Sequence, residues 1–184
     1  METFAPPREL TEHPRYAAER RRVAADFTLD AIDEPLRDVV DGFARLSYCF
    51  TLQSCYGHFV YGDQPEPDNL ARLPAGDVGP VTYRIAYLAL CIERSAAGAA
   101  LLESLAAVTD VDRDYVQFGS PDWFWKQQPN SYALQVEPRR FMDQDTAVLQ
   151  HREALHVEAV RDRFYDSLRE VLRAAAGVSR RRPG

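Results

Sequence analysis

The chain lacks the glycine signatures of the common cofactor folds. No Gly-rich dinucleotide fingerprint, no P-loop and no Gly-x-Ser-x-Gly elbow occurs, which counts against Rossmann, nucleotide-hydrolase and α/β-hydrolase chemistry. Cysteine is scarce, and three residues cannot build a disulfide framework, so reduced thiols and a cytoplasmic location are expected. The longest apolar run, near Ile85 to Ile92, falls far short of the ~20 residues that span a bilayer. The N-terminus shows no basic, apolar, small-residue succession, so the expectation is a protein neither secreted nor membrane-spanning. Positive charge is in deficit, with 22 Lys and Arg against 28 Asp and Glu, a formal charge of −6 and a pI of about 5.2. That removes the global basic surface through which nucleic acids are usually bound, so a nucleic-acid partner would need a local patch. Lysine is nearly missing as well: Lys126 is the only one, a bias given no functional weight.

What is present suits one core. At 184 residues and 46% hydrophobic content the chain is expected to form a single domain over residues 1–184, with a long loop at 62–80 and a flexible tail at about 178–184. Arg20-Arg21-Arg22 reads as a solvated helix face and Arg180-Arg181-Arg182 as a frayed tail.

An Ala- and Arg-rich helix is predicted from Pro14 to about Asp26. A second helix follows over 33–46, capped by Asp33, with Leu36, Val39, Val40, Phe43 and Leu46 on one face. Residues 47–54 change period to that of a strand. Residues 62–80 carry four prolines and three glycines, hence either a lid or binding loop or a dispensable insertion. Residues 81–93 read as one central strand, with Tyr83, Ile85, Tyr87, Ala89 and Cys91 on one face and Ala86, Leu88, Leu90 and Ile92 on the other. Ser95 caps a closely packing helix to about Val108. Residues 114–119 and 131–137 form two strands joined by a turn-rich segment at 120–130, a short connection that favours antiparallel pairing. A long amphipathic helix over 146–176, ended by Gly177, closes one face of the sheet. This order predicts an α+β two-layer sandwich, with a mixed or antiparallel sheet of about four strands and the C-terminal helix packed on it.

Candidate chemistry concentrates in Thr51-Leu52-Gln53-Ser54-Cys55-Tyr56-Gly57-His58, where an apolar strand runs into a glycine turn. Cys55-x-x-His58 pairs a thiol with an imidazole able to withdraw its proton, the alternative being an inert buried thiol. A metal site built on Cys49, Cys55 and His58 lacks a fourth ligand, and no second Cys or His pair supplies it, so no metal is expected. His151 and His156, five apart on the last helix, do not share a face and read as surface residues. Trp123-Phe124-Trp125-Lys126 offers either a stacking surface with a cation beside it or a cover for the edge of the core.

Thr51, Ser54, Cys55 and Gly57 match a Thr-x-Ser-Ser-Cys-Ser-Gly-Arg motif. The segment thereby resembles the wybutosine-synthesising methyltransferase family, which modifies the guanosine beside the anticodon of phenylalanine tRNA. The succession of a helix before the motif, then a strand, an Ala-rich helix and further strands is similar as far as about Pro138. The chain departs from the motif at Gln53, Tyr56 and His58; the last stands where the family has arginine, so an anion-binding charge there requires a protonated imidazole. The Ser-Cys-x-Gly-His form also resembles a turn in bacterial proteins. The resemblance implies methyl transfer from S-adenosylmethionine. The expected site has Cys55 and His58 as catalytic residues and Ser54, Tyr56, Gly57, Trp123, Trp125 and Lys126 as ligand-binding residues, for a small-molecule ligand. Two other classes stay open: a non-catalytic binding or assembly module, homo-oligomeric through the last helix, and a thiol-based redox sensor.

Overall fold

Two antiparallel sheets, rather than one, organise the chain in the computed structural model, which describes residues 5–62, 64, 70–142 and 144–179. After α1 (Tyr16–Asp26) and α2 (Arg37–Ala44), the strands are β1 (Cys49–Cys55), β2 (His58–Tyr61), β3 (Val81–Arg84) and β4 (Ala86–Ile92). Helix α3 (Ala96–Ala107), β5 (Val116–Gly119), α4 (Asp122–Gln127), β6 (Ser131–Val136), β7 (Thr146–Leu149) and α5 (His151–Ser179) complete the order. A four-stranded sheet runs β1-β4-β6-β5 and a three-stranded sheet β2-β3-β7. The α+β class and the long C-terminal helix stand as the sequence predicts, and β5 and β6 pair antiparallel.

The core lies on the inner face of the larger sheet. Leu88, Leu90, Ile92, Tyr132, Leu134 and Val136 from the strands meet Val39, Val40 and Phe43 of α2, Leu101 and Leu105 of α3, and Val157, Val160, Phe164 and Leu168 of α5. Ser95 caps α3 by accepting the Gly98 N–H, and Gly98 lets the helix sit against the preceding strand, since a Cβ there would lie 2.0 Å from the Glu93 carbonyl oxygen. The outer face is covered only in part, by Tyr16 of α1 on Phe50 and Cys91, and by Phe124 of α4 on Ala89 and Ala133.

Several expectations are corrected. Residues 81–93 are two strands in different sheets. Val81 and Tyr83 point to the core, but so do Ala86, Leu88 and Leu90, so the alternation changes phase at Ile85, whose N–H leaves the ladder for the Asp145 carbonyl. Residues 146–149 are β7, not the first turn of the last helix. Alternate burial of Ala147 and Leu149 shows the strand period, which an apolar run joined to a helix conceals in sequence. Residues 122–127 of the supposed turn segment form α4, anchored by Phe124, and α5 runs through Gly177 to Ser179. Asp33 caps nothing. Arg20 leaves the solvated face and donates to the carbonyls of Ala44, Leu46 and Cys49, tying α1 to the start of β1. His151 is buried, with Nε2 3.0 Å from the Pro74 carbonyl oxygen, whereas His156 is accessible beside Asp112. Within the predicted loop, residues 63 and 65–69 lie outside the described residues, as do Arg180, Arg181 and Arg182 of the tail. Residues 70–80 pack on α5, with Leu73 in the core and its N–H donating to Glu158. Among the described residues no helix is long and apolar enough to cross a membrane.

Candidate functional site

A bulge decides which residues reach the open face. Cys49 pairs with Ile92 and Phe50 with Cys91, but the register shifts between Thr51 and Gln53, so Gln53 pairs with Ala89 and Cys55 with Tyr87. One extra residue reverses the alternation of everything beyond it. Without the shift Cys55 would follow Cys49 toward the core. With it, Cys55 shares the outer face with Gln53, Tyr87 and Gln135, the last being the partner of Tyr87 on the next strand.

The turn after β1 is held rigidly from behind. Gly57 has φ +90, and a Cβ at this position would stand 2.8 Å from the Ala86 Cβ, so glycine is required by both conformation and space. Buried Arg161 of α5 donates to the Gly57 carbonyl at 3.1 Å and lies over the rings of Tyr56 and Phe59, 4.1 and 5.2 Å from their centroids. Asp162, 3.2 Å away, and Glu158, 3.8 Å away, balance its charge. Tyr165 donates its hydroxyl to the Cys55 carbonyl at 2.6 Å and stacks on Tyr56. Burial pushes the Tyr165 hydroxyl far above the usual phenol range, keeping it a donor.

In front of this turn lies a cleft of about 710 Å³, lined by Asp33, Gln53, Ser54, Cys55, His58, Arg84, Ile85, Tyr87, Trp123, Phe124, Ala133, Gln135 and Asp145. His58 is buried, with Nε2 3.6 Å from Asp33 Oδ2, and that carboxylate oxygen is oriented by the Tyr56 N–H at 2.8 Å. Donor atoms of Asp33, Cys55 and His58 all lie within 4.8 Å of one another. Arg84 is the cross-strand partner of His58 and brings a guanidinium to the same cleft. Trp123 is 48% exposed and, with Gln53 and Phe124, also lines an adjoining groove of about 430 Å³ that reaches Glu19 and Arg22 of α1.

The predicted site residues therefore separate. Ser54, Cys55, His58 and Trp123 line the cleft. Tyr56 and Gly57 stand behind it, facing α5. Trp125 is half-buried against Tyr132 and Arg8, and Lys126 is exposed outside the cleft. No described residue of the 62–80 segment lines the cleft. Asp33, Arg84, Tyr87, Gln135 and Asp145 were not anticipated. Tyr87 had a usable signal, the period-2 alternation of β4, whereas Asp33 read as a helix cap and Asp145 fell in the unassigned stretch just before the predicted last helix.

The three cysteines differ in kind. Cys49 donates to the Phe43 carbonyl in the core, Cys91 lies beneath α1, and burial pushes each thiol up to about 12. Cys55 is half-buried at the cleft. Chemically, Asp33, Cys55 and His58 offer a carboxylate, a thiol and an imidazole close together, Gln53, Gln135 and Arg84 offer amides and a guanidinium, and Trp123 offers an exposed indole.

No protein-family model and no curated protein matches the chain. Solved structures align with it, among them two archaeal proteins. The PH1069 protein from Pyrococcus horikoshii shares 10% identity over 86% of this chain and 89% of its own, with a TM-score of 0.45. A hypothetical protein from Aeropyrum pernix shares 12% identity over 77% of this chain and 98% of its own, with a TM-score of 0.40.

Proposed function

We propose that this protein binds a small molecule with a planar ring and ionised groups in the outer-face cleft, and that the ligand is S-adenosylmethionine, used there as a methyl donor. The observation that carries the reading is the meeting of Ser54, Cys55 and His58 with Arg84 and Trp123 around one cavity of about 710 Å³. That volume falls within the roughly 300–1,000 Å³ common for small-molecule sites. Trp123 supplies a face for an adenine ring. Asp33 and Asp145 suit the sulfonium and ammonium of the donor, and Arg84 suits its carboxylate. The methyltransferase resemblance lacks its arginine at His58, and Arg84, directly across the ladder, returns that charge to the same place. With two carboxylates against one guanidinium the cleft is no basic patch, so the acceptor is a free small molecule rather than a nucleic acid.

Calorimetric titration with S-adenosylmethionine tests this. Binding by the wild type, weakened in Trp123→Ala and Arg84→Ala, is expected; no heat from the wild type at millimolar ligand rejects the donor. The assembly-module alternative predicts that these variants, and Cys55→Ser and His58→Ala with them, leave every ligand titration unchanged and that light scattering reports an oligomer.

A second reading, nucleophilic thiol chemistry, is favoured by the half-exposed position of Cys55 beside His58, with Asp33 in the orienting role. It predicts that iodoacetamide alkylates Cys55 in the native protein much faster than a free cysteine at neutral pH. Labelling that requires denaturation rejects it.

A further inference from the structure

We propose that Asp33, Cys55 and His58 form a binding site for a divalent transition metal of the zinc type, with an open coordination position facing the cleft. The three donors come from separate parts of the fold: the loop before α2, the last residue of β1 and the first residue of β2. Nothing in the sequence juxtaposes Asp33 with the other two. The fold brings all three donor atoms within 4.8 Å of one another.

The spacing matches a metal better than a direct hydrogen bond. His58 Nε2 and Asp33 Oδ2 are 3.6 Å apart, too long for a good N–H···O contact. In a tetrahedral zinc site, with bonds of about 2.0–2.1 Å to nitrogen and oxygen and about 2.3 Å to sulfur, donor atoms stand about 3.3–3.6 Å from one another. Small side-chain movements bring Cys55 Sγ into the same range.

The donor set is selective. An imidazole with a thiolate favours zinc, cobalt or nickel over magnesium or calcium, which prefer oxygen donors throughout. Carboxylate and thiolate together carry two negative charges, which a divalent ion neutralises; the thiol proton leaves to solvent as the metal–sulfur bond forms. The ligands are also held in place. Tyr56 N–H fixes the Asp33 carboxylate, Tyr165 fixes the Cys55 backbone, and His58 is 5% exposed in a strand paired to β3. Three protein ligands at the end of a cleft leave the fourth position for water or for an oxygen, nitrogen or sulfur atom of a bound molecule. This is the arrangement of reactive rather than purely structural zinc sites. His58, the departure from the methyltransferase motif, is the residue that makes the set complete. Cys49 takes no part, because its thiol is in the core.

The test strips the purified chain with a chelator and titrates it with Co²⁺, a spectroscopic substitute for zinc. One cobalt per chain with a thiolate-to-metal charge-transfer band, displaced by Zn²⁺, is expected. Cys55→Ser abolishes the band and Cys91→Ala keeps it; Asp33→Asn and His58→Ala weaken the affinity at least tenfold, with circular dichroism confirming that each variant is folded. Absence of a stoichiometric band in the wild type overturns the proposal whatever the variants do, and so does a band that survives Cys55→Ser. The two readings share Asp33 but are told apart by their tests: a chain that binds cobalt but gives no heat with S-adenosylmethionine keeps the metal and loses the donor, and the opposite result rejects the metal alone.

Discussion

The two faces of the four-stranded sheet are built from the same strands and have opposite fates. On the inner face Leu88, Leu90, Ile92, Leu134 and Val136 are sealed beneath α2, α3 and α5 in one apolar cluster. On the outer face Gln53, Cys55, Tyr87 and Gln135 line a cleft between α4 and the smaller sheet. The inner face provides stability through burial, at about 1.5–3 kcal/mol for each large apolar side chain. The outer face gives up that burial and keeps polar groups accessible. Rigidity on one side is what allows exposure on the other, because Arg161 and Tyr165 hold the Cys55-Tyr56-Gly57 turn from the core side.

The contrast can be broken most severely from the core. Phe164→Ala empties a fully buried position on α5 and should lower the unfolding free energy by about 3–5 kcal/mol in urea titrations. Gly57→Ala attacks the junction of the two faces. The positive φ and the Cβ contact with Ala86 together should cost roughly 2–4 kcal/mol, and the variant should also lose ligand or metal binding out of proportion to its stability. An unchanged melting curve for Gly57→Ala would dismiss the rigid-turn account.

A smaller effect separates the faces by pH. Burial raises the Cys49 and Cys91 thiols from 9.0 to about 12, so between these values the unfolded chain ionises and the folded one does not. The thiols' contribution is fully present below pH 9 and is lost as the pH rises toward 12, at about 1.4 kcal/mol per unit for each thiol. Buried Tyr83 and Tyr132, also raised by desolvation, push in the same direction. Unfolding free energies at successive alkaline pH values check the slope, and Cys49→Ala should flatten it. The smallest change belongs to the outer face. Trp123→Ala should alter stability by no more than about 0.5 kcal/mol while weakening a stacked ligand by about 1–3 kcal/mol, read by parallel melting and calorimetry.

Sequence patterns exposed the inner face more readily than the outer. The apolar stripe of α2 and the alternation of β4 are local, and the core follows from them with few errors. Ser95 as a cap and Gly98 as a close contact belong to the same class of signal. The errors fall where one chain segment serves two sheets. At Ile85 the chain crosses between sheets without a glycine or proline to mark the break, and at Thr146 a strand runs almost directly into a helix. The cleft was legible as a motif, Ser54 to His58, and as an aromatic cluster, of which Trp123 and Phe124 line it while Trp125 and Lys126 stand outside. Asp33 was invisible as a site residue because a carboxylate before a helix has a simpler local role, and what overrides that role is a backbone N–H from Tyr56, 23 residues away.

By itself, then, the amino-acid order determined what depends on neighbours along the chain: helix faces, strand periods, a cap, a glycine turn, an acidic balance of charge and a thiol beside an imidazole. Tertiary structure alone decided which way Cys55 points, because a bulge between Thr51 and Gln53 reverses the face of each later residue and pairing with β4 is what places it. It also decided that Asp33 and Arg84 join Cys55 and His58. Period-2 and period-3.6 patterns record which side of an element is apolar; they hold no record of which distant polar groups a fold will bring within a few ångströms of one another.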